Sequence, residues 1–158
     1  MLADDKEFIN FKVHTQYSIC EGAIKIDELA DYCKKNKVKA IGLADSFNLC
    51  GALEFAEKIS KIGTQPLIGT QINLLCNNEI GKVTLYATSE KGYQNLTKLS
   101  SLSYFKNKNA YDPHCEINDL ILNNKDIILL TGSYNNFFGK LFYANKEKYF
   151  EQIIEKLK

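Results

Sequence analysis

The fold is decided by residues 39–62, which read KAIGLADSFNLCGALEFAEKISKI. The short apolar run Lys39–Ala44 is typical of a strand that is buried on both faces. Residues Gly51–Ile62 then place apolar side chains at helical spacing, and Gly63 is suited to end that helix in a left-handed conformation. A buried strand followed by an amphipathic helix is the repeating unit of α/β folds.

The same alternation extends in both directions from this segment. Upstream, Phe8–Val13 alternates as a strand does, and Ile26–Lys37 carries the apolar stripe of a helix. Downstream, Ile68–Leu74 and Gly81–Thr88 flank turn residues and predict a hairpin. The remaining predictions are a helix capped by Ser89, a loop over Tyr104–His114, a helix over Ile117–Leu122, a strand over Asp126–Thr131, and helices over Phe137–Tyr143 and Lys146–Leu157. This order predicts an α/β fold with a largely parallel sheet.

Composition restricts the class of protein. The chain has 158 residues, which suits one domain, and 20 basic against 19 acidic residues give a net charge of +1. That balance provides no global attraction to nucleic acid. The five cysteines form no C-x-x-C pair, so we expect reduced thiols in a cytoplasmic protein. The start Met1–Lys6 is charged and has no apolar run, so we expect no signal peptide there, and no apolar run in the sequence has the length of a membrane span.

Candidate functional residues follow from the predicted strands. In α/β sheets and barrels, functional groups collect where strands reach their carboxyl edge. Polar or charged residues stand at or beside each of the first four predicted strands and in the loop after the first. In chain order they are Lys12, His14, Glu21, Asp45, Ser46, Gln71 and Lys82. They meet in one site only if the strands are neighbours.

Four segments resemble the PHP (polymerase and histidinol phosphatase) domain of bacterial DNA polymerase III alpha subunits. The first is FINFKVHTQYSICEGAIKIDEL at Phe8–Leu29, where the family pattern is roughly F-V-H-L-H-V-H-S-x-Y-S-L-L-D-G-A. The second is AIGLADSFNLCGALEFAEK at Ala40–Lys58, against A-L-T-D-H-G-N-L-F-G-A-x-E-F. PLIGTQINL at Pro66–Leu74 and KVTLYATSEKGYQNLTKLSS at Lys82–Ser101 continue the match. The resemblance runs in register from about Phe8 to about Leu141.

The resemblance implies a PHP-type distorted (β/α) barrel. Residues 1–158 then form the N-terminal part of the PHP domain, incomplete at its C-terminus, without the family's late Asp-x-His strand. The polymerase palm, fingers and thumb are expected outside this chain. Active members of the family bind a metal cluster at the strand ends, mostly through histidine. They use it for phosphoester hydrolysis, in some polymerases as a 3′–5′ exonuclease.

Several metal-ligand positions of the family are altered in this sequence. Lys12 stands in place of one of the paired histidines, and Lys82 stands where the family often has another. Ser46 replaces a histidine, and Gln71 replaces a glutamate. An ammonium group has no lone pair to offer a metal and repels it. We therefore expect no metal and no catalytic residue in this domain, and regard these positions as vestigial.

Three matched positions keep residues that can bind metal, namely His14, Glu21 and Asp45. One weakly held ion remains an alternative to a hydrogen-bonded polar cluster. As a hypothesis, Lys12, with Lys82, places a permanent cation where the metals once lay and neutralises the two carboxylates. On that hypothesis, Lys12→Ala destabilises the domain by about 3–5 kcal/mol if the pair is buried.

The resemblance implies a scaffold and subunit-interaction domain without catalysis of its own, in a parent DNA-directed DNA polymerase that uses Mg²⁺. The expected partners are the remainder of the alpha subunit, the proofreading exonuclease subunit and, through the holoenzyme, DNA. A metal-dependent phosphoesterase or 3′–5′ exonuclease using Zn²⁺ or Mn²⁺ is the alternative, and a free-standing DNA-binding module is a third. A barrel cut short exposes a strand edge, so self-association is also expected.

Overall fold

The computed structural model describes residues 8–76, 78–105, 113–143 and 147–157, with only the backbone described for residues 147–149. The chain folds as a mixed α/β domain in which one five-stranded sheet is combined with helices. Its elements are α1 (Ile26–Asn36), β1 (Ala40–Ser46), α2 (Ala52–Lys61), β2 (Gln65–Cys76), β3 (Glu79–Ala87), α3 (Glu90–Phe105), β4 (His114–Glu116), α4 (Ile117–Leu122), β5 (Ile127–Leu130), α5 (Phe137–Tyr143) and α6 (Glu147–Leu157).

The long strand β2 organises the sheet. One of its edges pairs in parallel with β1 along the first half and with β4 along the second half. The other edge pairs antiparallel with β3, which pairs antiparallel with β5. The sheet is therefore mixed, and the prediction of a largely parallel sheet is wrong. The physical reason is the short β2–β3 connection, because a tight turn can join only antiparallel strands.

Two apolar clusters hold the helices against the sheet. The first contains α1, α2 and β1, with Leu43, Phe55 and Ile59 fully buried at its centre. The second joins β2 and β3 to the later helices around Leu85 and Leu99. Burying such side chains contributes about 1.5–3 kcal/mol each. None of the helices in the described ranges is long and apolar enough to cross a membrane.

The segment before α1 departs from the prediction of a strand at Phe8–Val13. Of these residues only Val13 forms a β-bridge, parallel to Leu43. The Gly42 amide donates to the Asn10 carbonyl at 2.8 Å, whereas the Gly42 carbonyl accepts from the Val13 amide at 3.1 Å. Residues 11 and 12 lie between these two bonds and form no ladder bond of their own with β1, because the Phe11 carbonyl accepts from the Tyr86 hydroxyl.

The later predicted elements are confirmed with small shifts of their ends. The predicted caps are also present, since the Gly92 amide donates to the Ser89 hydroxyl and Gly63 has φ +80°. The predicted loop Tyr104–His114 is wrong at both ends, because α3 continues to Phe105 and His114 opens β4. Its central residues 106–112 lie outside the described residues, as do Met1–Lys6, Asn77 and Lys146.

Candidate functional site

The predicted site residues meet where the carboxyl end of β1 lies beside the middle of β2. Ser46 at the end of β1 lies opposite Gln71 of β2, and their side-chain oxygens are 3.4 Å apart. The Ser46 hydroxyl also donates to Glu21, whose other carboxylate oxygen accepts from the Lys82 ammonium. Strand ends and one loop therefore form a single polar cluster, as the strand-edge rule predicts.

Asp45 is the buried anchor of this cluster. Its carboxylate is inaccessible to solvent and accepts from the Thr15 amide at 2.6 Å and the Thr15 hydroxyl at 2.7 Å. The Ser18 hydroxyl donates a third bond at 2.6 Å. These three bonds tie the loop that carries Glu21 to the end of β1. The sequence interpretation missed Thr15 and Ser18, which have no metal-binding chemistry to single them out.

Glu21 and Lys82 form an ion pair at the rim of the cluster, with each side chain 36% exposed. The hydrogen bond from Lys82, followed by that from Ser46, lowers the pKa of Glu21 below its usual value of 4.5. The Lys82 ammonium also lies 5.5 Å from the centroid of the Phe47 ring, within cation–π range. Phe47 holds this place with φ +63°, a left-handed conformation that is costly for a residue with a side chain.

His14 lies beside the cluster and contacts it through Ser18, with 3.3 Å between the imidazole Nδ1 and the hydroxyl. Burial lowers the pKa of His14 below 6.5, and the nearby positive charges of Lys12 and Lys82 lower it further, against the opposing effect of Glu21 and Asp45. The imidazole is therefore neutral at pH 7. It adds no charge to the cluster.

Lys12 does not hold the position that the sequence hypothesis gives it. Its side chain is exposed, and no described carboxylate lies within salt-bridge distance of its ammonium. Lys82 alone pairs with Glu21, and neutral donors satisfy Asp45. The predicted pairing of Lys12 with the two carboxylates is wrong, because the irregular backbone at residues 11 and 12 removes Lys12 from the regular alternation of a strand.

His114 is nearer to this edge of the sheet than the sequence suggested. In β4 it lies opposite Asn73, and Asn73 lies opposite Lys82 of β3. Directly opposed residues share one face of a sheet, so the three form a row across three strands. The short strand β4 gave no periodic signal from which this neighbour could be found.

The donor set does not fit a metal cluster. Within the described ranges, no three His, Cys, Asp or Glu residues are grouped so that they could hold a metal ion. Both oxygens of Asp45 accept protein hydrogen bonds, and both oxygens of Glu21 contact Lys82 or Ser46. A metal ion would have to displace these bonds and approach a fixed ammonium group.

The Lys82–Glu21 pair is expected to have a coupling free energy of about 0.5–1 kcal/mol in a double-mutant cycle, because it is partly exposed. Since the pKa of Glu21 is lowered by folding, this stabilisation is present above pH 4.5 and is lost as pH falls through the folded-state pKa. Urea unfolding of Lys82→Ala, Glu21→Gln and the double variant at pH 7 and pH 3 measures it. The control Lys12→Ala should change stability by less than about 0.5 kcal/mol. A loss of several kcal/mol in that control would restore the original hypothesis.

Known proteins similar to this chain bear out the resemblance. The DNA polymerase III subunit alpha of Rickettsia felis is 37% identical over 143 residues, covering 90% of this chain and 12% of the relative. The corresponding subunit of Caulobacter vibrioides is 33% identical over 155 residues, covering 91% of this chain and 13% of the relative. The chain thus spans about an eighth of the length of the relatives it matches.

The chain is also similar to solved structures and to a protein-family model. A Bifidobacterium adolescentis protein described as a metal-dependent phosphoesterase is 18% identical, with a TM-score of 0.48 over 61% of this chain and 32% of that chain. The family model of the PHP domain matches residues 10–158, which is nearly the whole sequence. The chain is therefore a member of the PHP domain family.

Proposed function

We propose that this chain is a non-catalytic PHP domain that serves DNA replication as part of a DNA polymerase III alpha subunit. The sequence identity of 37% to such a subunit supports the assignment to replication. In this proposal, polymerisation and its Mg²⁺ ions belong to other domains of the parent polymerase, in the bacterial cytoplasm. The PHP domain itself contributes shape and contact surface.

The observation that supports the absence of catalysis is the Lys82 ammonium bonded to Glu21 at the strand ends. Metal-dependent hydrolysis needs deprotonated ligands in fixed geometry around an ion. Here a protein cation and four neutral hydrogen-bond donors occupy the oxygens of both carboxylates. The polar residues still meet at the strand ends, while the positive charge of Lys82 and the bonded carboxylates favour a metal-free state.

A scaffold role needs surfaces that other parts of a polymerase can contact. Among the described strands, β5 pairs only with β3, so its second edge has no strand beside it in the described part of the chain. Ile128 on this strand is 51% exposed, as expected for a surface that is covered by a partner. The proposed partners are the remainder of the alpha subunit and the proofreading exonuclease subunit, with DNA reached through the holoenzyme. When these partners are absent, we expect the isolated chain to self-associate along this edge.

Metal analysis combined with a nuclease assay tests this proposal. We expect the purified chain, dialysed against micromolar Zn²⁺ or Mn²⁺, to hold less than about 0.1 equivalent of metal, because its carboxylates are already bonded. We also expect no release of nucleotides from a 3′-labelled oligodeoxynucleotide with Mg²⁺, Mn²⁺ or Zn²⁺. Elemental analysis and gel electrophoresis give the two readouts.

A matched variant separates a dismantled site from an assay failure. Glu21→Gln removes one remaining carboxylate, so any adventitious metal signal should be the same in the variant and in the unaltered chain. Stoichiometric metal that disappears in Glu21→Gln, together with metal-dependent cleavage, would replace this proposal with a working phosphoesterase.

A further inference from the structure

The loop that follows β1 departs from the family pattern at the residue that contacts Lys82. Phe47 stands where the pattern A-L-T-D-H-G-N has glycine, directly after Ser46. Its φ of +63° lies in the left-handed region, which glycine adopts freely and other residues adopt at a steric cost. A side chain persists in such a conformation only where its surroundings fix the backbone, so the contacts around Phe47 are informative.

Strand β2 holds the backbone on both sides of Phe47. The Phe47 amide donates to the Gln71 carbonyl at 2.8 Å. The Thr70 hydroxyl lies 2.8 Å from the Asp45 carbonyl oxygen and 3.1 Å from the Asn48 carbonyl oxygen, within hydrogen-bond distance of both. The start and the end of the turn are therefore fixed, and the carbonyl group of Phe47 itself lies between them.

This carbonyl group is held from a helix that is distant in sequence. It accepts a hydrogen bond of 3.1 Å from the hydroxyl of Tyr104, which lies in the last turn of α3, 57 residues further along the chain. Tyr104 is 47% exposed, and Phe105 beside it is 86% exposed. The bond therefore joins the strained loop to the molecular surface, where a contacting molecule can reach it.

The Phe47 ring in turn contacts Lys82. The ammonium lies 5.5 Å from the ring centroid and pairs with Glu21. A partly exposed ion pair alone is weak, since two flexible side chains must be kept in one geometry. The ring provides a second contact that restricts the lysine. Two departures from the family pattern thus meet here, an aromatic ring in place of glycine and an ammonium group where histidine is frequent.

We propose that Tyr104, Phe47 and Lys82 form a conformational latch, in which the Tyr104 hydroxyl fixes the loop and Phe47 is the positioning residue that keeps Lys82 on Glu21. A contact at the end of α3 that takes the hydroxyl away from Phe47 lets the loop relax and the ring leave the ammonium. An event at the surface of α3 thereby loosens the polar cluster at the strand ends. This inference goes beyond the proposed scaffold function and does not depend on it.

Competitive acylation of the lysine side chains in the whole chain, read by mass spectrometry, tests the latch. A lysine held against a carboxylate and a ring reacts slowly, because only the free amine is a nucleophile. We expect Lys82 to become about twofold to fivefold more reactive in Tyr104→Phe, the factor that corresponds to one lost cation–π contact. Phe47→Leu should have the same effect, and adding Tyr104→Phe to it should change nothing more, because both act through the ring. The exposed Lys125 gives the reference rate in each sample.

Tyr93→Phe is the matched control, because it removes a tyrosine hydroxyl near the opposite end of the same helix α3. Lys82 should react in this variant as it does in the unaltered chain. Proton NMR gives an independent readout, since the face of an aromatic ring shifts nearby protons upfield. The ε-methylene protons of Lys82, assigned with Lys82→Arg, should move toward the position of an exposed lysine in both Tyr104→Phe and Phe47→Leu. A general loss of stability does not produce this change in the folded protein.

Each of three results would overturn the latch. Unchanged reactivity and chemical shifts of Lys82 in Tyr104→Phe would show that the hydroxyl does not hold the loop. Unchanged values in Phe47→Leu would show that the ring does not position Lys82. An effect of Tyr104→Phe that persists in the Phe47→Leu background would show that the two residues act separately.

Discussion

Asp45→Ala is expected to lower the free energy of unfolding by about 3–5 kcal/mol, one of the two largest effects predicted for this domain. The variant leaves the Thr15 amide and the Thr15 and Ser18 hydroxyls without their common acceptor in a site from which water is excluded. An unsatisfied buried donor costs about 1–3 kcal/mol, although the hydroxyls can turn toward other acceptors. Urea unfolding followed by circular dichroism measures the loss.

Asp31→Ala is the matched control, because Asp31 is an exposed carboxylate on α1. It should change stability by less than about 0.5 kcal/mol. If Asp45→Ala has no larger effect than this control, the carboxylate is not the buried anchor of the loop. A rise in melting temperature of the unaltered chain with Mn²⁺, absent in Asp45→Ala, would assign Asp45 to metal binding instead.

The convergence of the site could be predicted from sequence because it depends on a general property of sheets. β1 and β2 run in parallel, so the carboxyl end of β1 lies beside the middle of β2, which places Ser46 beside Gln71. The sequence also led us to expect a lysine ammonium group in place of the metal ions. Lys82 occupies that place, because it pairs with Glu21. Sequence patterns are informative here because strand–helix periodicity locates β1, α2 and β2 along the chain.

The errors arise where contacts distant in sequence decide the local structure. Lys12 was assigned to the cluster from its place at the end of the first predicted strand and at a matched metal-ligand position of the family, but the Phe11 carbonyl bonds to Tyr86, 75 residues away. The irregular backbone at residues 11 and 12 removes the regular strand that this assignment assumed. His114 was assigned to a loop, because a three-residue strand formed by pairing with β2 has no period of its own. Thr15 and Ser18 have a role only because Asp45 is buried between them.

Gly42→Ala is expected to destabilise the domain by about 2–3 kcal/mol, because an added methyl group collides with backbone that has little freedom to move. A Cβ at Gly42 would lie 2.2 Å from the Phe11 carbonyl oxygen and 2.8 Å from its Cα. The segment before α1 must therefore move away from β1. That movement breaks the bonds from the Gly42 amide to Asn10 and from the Val13 amide to Gly42.

Gly63→Ala separates this collision from the general cost of replacing glycine. A Cβ at Gly63 meets no atom within 4 Å, so only its left-handed φ of +80° is penalised, by about 1 kcal/mol. The Ala44 amide donates to the Val13 carbonyl at 2.8 Å. Hydrogen exchange of the Val13 and Ala44 amides should therefore accelerate in Gly42→Ala and stay unchanged in Gly63→Ala. Equal stability losses, with Val13 still protected, would show that the segment accommodates the methyl group. Because this segment leads directly into His14 and Thr15, its loss should also loosen the bonds that hold Asp45.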